Sequence, residues 1–201
     1  MSVPEIFVSA GDPSADIATA RLITALKVTA PELQLFGLGG PRLAQRGQEQ
    51  LARATDLAVL GFWEVARRAG FFRRLLRQCE QEITRRRPRC ILLVDYPGFN
   101  LRLAARVKKL GIPIIYYISP QVWAWHKKRI HRIKELVDRM LLILPFEQEL
   151  YARHGIPHEM VGHYLVEDVP HEYIASDPPG SGQLALLPGS RTQEIERMLA
   201  P

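Results

Sequence analysis

Cysteine is nearly absent: Cys79 and Cys90 are the two present in 201 residues. Two thiols cannot build a disulfide framework, and they point to a reducing cytoplasm. No charged-then-apolar leader opens the sequence, and no apolar run approaches the ~20 residues needed to span a bilayer. The expectation is a cytoplasmic protein that meets membranes only at their surface. Metal motifs are missing as well. Neither H-E-x-x-H nor C-x-x-C occurs, and His126 and His131 stand too far apart to share a helical face, so no metal is expected. A G-x-G-x-x-G fingerprint is lacking, which argues against a nicotinamide cofactor, and no cofactor is expected. There is neither an internal repeat nor a low-complexity tract.

What the chain does have is 47% hydrophobic residues, enough for one well-buried domain. It also has an unevenly placed charge. Residues 62–89 hold nine arginines against Glu64, Glu80 and Glu82, so this stretch carries the whole net charge of +6 and the remainder is neutral. A basic surface so confined implies an anionic partner: a membrane, a nucleic acid or a phosphorylated substrate. Within "GFWEVARRAGFFRRLLR" (61–77), Phe62, Val65, Ala66, Ala69, Phe72 and Leu76 share one helical stripe. Trp63, Phe71 and Leu75 then project elsewhere, among Arg67, Arg74 and the other arginines, and are expected to touch a membrane. Nucleic acid is disfavoured as the partner, because stacking aromatics are not interleaved with the strands.

Strand-like and helix-like segments alternate as in parallel βαβ units wound into an open sheet. "EIFVSA" (5–10) leads to a helix from about Ser14. "LQLFGLGG" (33–40) ends in glycines, and "CILLVD" (90–95) is a continuous apolar strand. Asn100 is expected to cap the next helix, "LRLAARVKKL", which Gly111 closes. "IPIIYYI" (112–118), a helix around 125–137, "RMLLIL" (139–144), a helix from Phe146 and a short strand near 159–162 follow. The expected organisation is a domain over 1–163, a proline-rich linker over 164–182, and the start of a second domain over 183–201.

In doubly wound sheets ligands bind beyond the carboxyl ends of the strands, which singles out four loops. "SAGDPSAD" (9–16) offers Gly11, Asp12, Ser14 and Asp16. "VDYPGFN" (94–100) places Asp95 at a strand end, where partial desolvation raises a carboxylate's pKa and suits it to accept a hydroxyl proton; bracing of the loop is the alternative role. "YISPQVWAW" (117–125) brings Ser119 and Trp123, as pocket lining or as core. "LLPGSRTQEIE" (186–196) sets Ser190 and Arg191 at a helix start, where free amides and a guanidinium can cradle phosphate; in the other reading Ser190 only caps and Arg191 only pairs with Glu194.

Taken in order, these motifs resemble the lipid-A-disaccharide synthases, glycosyltransferases of GT-B architecture. The resemblance is carried by Gly11 to Asp16, "LAVLGFWEV" (57–65), "VDYPGFN", "YYISPQVWAW" (116–125), "LPFE" (144–147), "VGH" (161–163) and "LLPGSR" with Glu194 following. Ala15, Gly98 and Tyr164 depart from the family's usual residues. The resemblance implies an open, mostly parallel Rossmann-like sheet as the N-terminal domain, with residues 183–201 beginning the nucleotide-sugar domain. It implies metal-free, inverting transfer of a diacylglucosaminyl group from UDP to the 6-hydroxyl of diacylglucosamine 1-phosphate. Asp95 matches the family's proposed base, and Arg191 with Ser190 would face the diphosphate. Gly11, Asp12, Ser14, Asp16, Ser119, Trp123 and Glu194 would contact substrate. Both substrates are amphiphiles, so the implied location is peripheral, on an anionic inner membrane face; monomer and homo-oligomer both stay open. Two other readings remain: a GT-B enzyme acting on a soluble substrate, and a non-catalytic half-protein that docks at membranes and binds acyl-sugar phosphates. The chain alone is expected to lack turnover.

Overall fold

The computed structural model describes residues 3–53, 69–124 and 128–170, together with 186–187, 195–196 and 198. Seven strands form among the described residues: β1 (Glu5–Ala10), β2 (Gln34–Gly39), β3 (Gln48–Arg53), β4 (Cys90–Val94), β5 (Ile114–Tyr117), β6 (Arg139–Leu142) and β7 (His158–Met160). The helices are α1 (Pro13–Thr29), α2 (Pro41–Gln45), α3 (Ala69–Arg86), α4 (Pro97–Val107), α5 (Arg129–Leu136) and α6 (Glu147–Arg153). All six strand pairings are parallel, in the order β3-β2-β1-β4-β5-β6-β7. The chain winds outward in one direction from β1 and in the other from β4. The topological switch therefore lies between these two strands, which pair from Ile6↔Cys90 to Ala10↔Val94.

A parallel sheet is covered on both faces, so its strands read as unbroken apolar runs. Alternation of side chains then divides each run between two cores. Ile6, Val8 and Ala10 of β1 join Leu92 and Val94 of β4 against α1, while Phe7, Ile91 and Leu93 face α3 and α4. The chain divides into two compact units, Met1–Val166 and Glu167–Pro201, and the sheet lies within the first.

Two elements differ from the sequence expectation. Asn100 does not cap α4. Pro97, with its preset φ, starts the helix four residues earlier after Tyr96, and Asn100 turns inward, fully buried. Leu75 does not project from α3. It is 3% exposed in the core beside Leu76, Cys79 and Ile83, and Phe71 is half-buried against the same cluster. The buried arc of α3 is wide enough to take positions 72, 75, 76, 79 and 83, an i, i+3, i+4 pattern. Leu75 is thus packing, not a membrane contact; Trp63 and Arg67 lie outside the described residues. We expect Leu75→Ser to cost about 3 kcal/mol, from a lost side chain and a buried hydroxyl. That lowers Tm by roughly 6–12 °C in a domain of this size, whereas Arg74→Ser on the exposed face leaves Tm almost unchanged. Melting curves of both variants decide it, and an unchanged Tm in Leu75→Ser would return the residue to the surface.

The basic stretch also divides by role. Arg86 binds Glu5 of β1, Glu49 of β3 and Glu82 of its own helix, with its guanidinium 4.5 Å from the Phe36 ring centroid. Arg85 pairs with Glu82. Arg86 thus clamps α3 to the amino ends of β1 and β3, while Arg85 braces the helix itself. Arg73, Arg74 and Arg77, nearer the start of α3, line an open concavity of about 340 Å³.

Candidate functional site

The loops after β1 and β4 meet at the switch point. Gly11 is needed for that approach, because a Cβ there would come within 2.5 Å of Tyr96 Cδ1. Asp12 accepts a hydrogen bond from the Ala15 amide at 2.9 Å and so caps α1, and the exposed Ser14 hydroxyl donates to the same carboxylate. Asp16 faces away from the loop. It is buried and accepts from the amides of Gly40, Arg42 and Leu43 at 2.8–3.1 Å, capping α2 from a neighbouring element. Its oxygens are committed to this bracing, which corrects the expectation of a substrate contact.

The β4–α4 turn is conformationally strained. Asp95 and Tyr96 have φ of 43° and 45°, and the β-branched Ile118 at the end of β5 has 65°. Left-handed backbone costs an L-residue about 1–2 kcal/mol, and such residues persist only where their surroundings dictate them. Here the surroundings are a buried polar network. The Asn100 amide donates to the carbonyls of Asp95 at 2.8 Å and Val94 at 3.1 Å, and accepts from Ser9 Oγ at 2.7 Å. The Tyr116 hydroxyl donates to the same Asp95 carbonyl at 2.5 Å, and the Asp95 amide donates to the Tyr117 carbonyl. The backbone of Asp95 is held on three sides, which leaves its side chain to the cleft.

That cleft, of about 490 Å³, is lined by Asp95, Ile118, Ser119, Gln121 and Arg129 among others. Burial pushes the Asp95 carboxyl up from its ordinary 3.8 to about 6, the nearby charge of Asp12 adds to the rise, and the Tyr96 amide opposes it. Ser119 is buried and bonded to the Tyr151 hydroxyl at 2.7 Å, so it forms wall rather than a free donor. Trp123 is 43% exposed and sits edge-on to Phe146 with centroids 5.2 Å apart, a flat apolar rim. Glu147 is 1% exposed, and burial pushes its pKa up against the opposing hydrogen bonding of Ser119, the Leu144 backbone and Trp123. Among the described residues no three His, Cys, Asp or Glu side chains gather into a metal-holding cluster. No described helix is long and apolar enough to cross a membrane. Ser190, Arg191 and Glu194 lie outside the described residues.

The structure thus brings Gly11, Asp12 and Asp95 together and places Ser119 and Trp123 along the neighbouring loop. Sequence reasoning missed Asn100 and Tyr116 as supports and Arg129 as cleft lining. Asn100 carried a signal, a polar residue about to enter an apolar helix, but its propensity for caps pointed the wrong way.

A doubly wound parallel sheet with its polar groups gathered at the β1/β4 switch defines a Rossmann-like α/β domain that binds its ligand there. The fold alone is shared with a crystal structure of a Glycyrrhiza uralensis UGT complexed with glycyrrhetinic acid 3-O-monoglucuronide. The TM-score is 0.53 at 12% identity, over 83% of this chain and 50% of that one. The family profile described as "Lipid-A-disaccharide synthetase" matches residues 6–201, and the chain belongs to that family. Lipid-A-disaccharide synthases of Anaeromyxobacter sp. (strain K) and Myxococcus xanthus are each 44% identical over 98% of this chain and 53% of their own length. Lipid-A-disaccharide synthase 1 of Legionella pneumophila subsp. pneumophila (strain Philadelphia 1) is 42% identical over 96% of the chain and 52% of its own. The chain spans about half the length of the curated relatives it matches.

Proposed function

We infer that this chain forms the acceptor-side half of a lipid-A-disaccharide synthase. In the reaction, a diacylglucosaminyl group moves from UDP to the 6-hydroxyl of 2,3-diacylglucosamine 1-phosphate. An Asp95 oxygen takes the hydroxyl proton as the acceptor oxygen bonds to the anomeric carbon. The bond from that carbon to the UDP oxygen breaks on the opposite face, so configuration inverts and UDP leaves with the electron pair. Ser190 and Arg191 are assigned to the diphosphate, where donors aimed at developing charge contribute most. Trp63, Arg67 and Arg74 are assigned to an anionic membrane surface on the cytoplasmic side, each arginine adding about 1 kcal/mol near such a surface.

The observation that carries this reading is the half-desolvated Asp95 at the switch point, with a carboxyl pKa raised to about 6. A base of that strength is ionised at neutral pH yet still a fair proton acceptor. The test is incubation of both lipid substrates with a protein comprising these residues and a complete second domain, followed by chromatography for disaccharide and UDP. Disaccharide and UDP are expected in equal amounts from that protein. The 201-residue chain alone is expected to yield neither, because holding both reactants in one geometry supplies ~7–11 kcal/mol of a barrier. Transfer to soluble sugars but not to the lipid acceptor would favour the soluble-substrate reading.

A further inference from the structure

Arg85, Arg86, Arg106, Arg139 and Arg153 each pair with a carboxylate. Arg129 does not. It is half-buried at the start of α5 and lines the cleft that holds Asp95, yet it has no ion pair or hydrogen bond among the described residues. Asp95 lines the same cleft, yet no ion pair joins the two among the described residues. The Arg129 charge is felt instead at the buried Tyr116 hydroxyl, which donates to the Asp95 carbonyl. A guanidinium held partly out of water without an anion is costly, and the cost is relieved when an anion arrives. Its planar fork of donors matches phosphate oxygens two at a time. The cleft volume of about 490 Å³ falls in the range of small-molecule sites.

We propose that Arg129 is the phosphate-binding residue of the acceptor subsite, taking the phosphomonoester of a sugar phosphate whose free hydroxyl faces Asp95. This rests on the reading of Asp95 as the base. Acceptor and donor both carry phosphate, so the shared chemistry is a phosphoryl anion. The acceptor is favoured because Arg129 shares its cleft with the group that must deprotonate the acceptor. A phosphate remote from the reacting oxygen is bound equally in ground and transition states, so the contact acts on acceptor affinity and leaves the chemical step alone.

The experiment titrates the isotope-labelled 201-residue chain with glucosamine 1-phosphate, glucosamine and UDP, reading affinities and the arginine side-chain signals by NMR. Glucosamine 1-phosphate is expected to bind at least about tenfold more tightly than glucosamine. Arg129→Gln is expected to abolish that advantage while leaving glucosamine affinity and Tm unchanged, and Arg129→Lys to keep part of it. No preference for the phosphorylated sugar in the wild type, or an undiminished preference in Arg129→Gln, overturns the proposal. So does a loss confined to UDP, which would place Arg129 on the donor side. These arms need no turnover, so they separate this proposal from the synthase reading. In the two-domain protein, Arg129→Gln is expected to raise the acceptor KM about tenfold or more with kcat nearly constant.

Discussion

Asp95→Asn is expected to lower turnover by about 10²- to 10⁴-fold in a protein that comprises these residues and a complete second domain. Asparagine keeps the shape of the side chain, and the Asp95 backbone is held by Asn100, Tyr116 and Tyr117, so the turn should survive the change. Only the proton acceptor is lost, and acceptor KM should hardly move. The wild-type kcat/KM is expected to fall as pH drops through about 6, because protonation removes the base, and the Asn variant should lack that limb. Stability should move the other way. Because the folded pKa is raised from 3.8 to about 6, the neutral carboxyl is the one the fold favours. The stability tied to Asp95 is present below pH 4 and is lost as pH rises through about 6. The Asn variant carries no such loss, so its stability advantage should open between about pH 4 and pH 6 and level off at about 3 kcal/mol at most, about 1.4 kcal/mol per pKa unit. Rates across about pH 5–8 at sub-saturating and saturating substrate, and melting curves at about pH 4 and pH 7, check both halves. An Asn variant that keeps more than a tenth of wild-type turnover would show that Asp95 is not the base.

How much of this is readable before folding depends on what each residue faces. The strands β1, β4 and β5 are buried on both sides, so their apolar runs announce them. The glycine and aspartates that follow mark the ligand-binding ends. The edge strand β3, "QEQLAR", escapes a reading of pattern, because an edge strand half in water need not be apolar and Gln48 to Arg53 shows neither run nor clean alternation. The short α2 escapes with it; its cap is Asp16, which arrives from α1 and leaves no trace at positions 40–45. Leu75 is misplaced because a stripe drawn through Phe72 and Leu76 is narrower than the arc of α3 that the core covers, which also takes Leu75, Cys79 and Ile83. Asp95 itself is legible, since a carboxylate that closes an apolar strand is desolvated at a cost and sits where such sheets bind ligands. Its supports are not. Asn100 and Tyr116 lie 5 and 21 positions away and reach Asp95 only through the packing of α4 and β5.

That support is the weak point of the site, and Asn100→Leu is expected to expose it. Asn100 is fully buried, and its amide is shared among the carbonyls at the end of β4 while its oxygen takes the Ser9 hydroxyl. Leucine fills a similar volume but leaves those carbonyls and that hydroxyl with one fewer partner each, in a place water does not reach. An unsatisfied buried group costs about 1–3 kcal/mol. Release of left-handed strain at Asp95 and Tyr96 returns part of that, since the turn no longer has a reason to stay there. A net loss of about 3 kcal/mol corresponds to a Tm lower by roughly 6–12 °C. Once the turn relaxes, the Asp95 carboxylate gains solvent, so its pKa should fall from about 6 toward 3.8. Tyr116→Phe removes one bond to the same carbonyl and should give a smaller change of the same sign, about 1 kcal/mol, with the fold intact. Thermal melts report the stability, and carbon NMR of the Asp95 carboxyl as a function of pH reports the turn. If Asn100→Leu loses stability while Asp95 in Tyr116→Phe still titrates near 6, the network is only structural; a downward shift in both variants means that it sets the base.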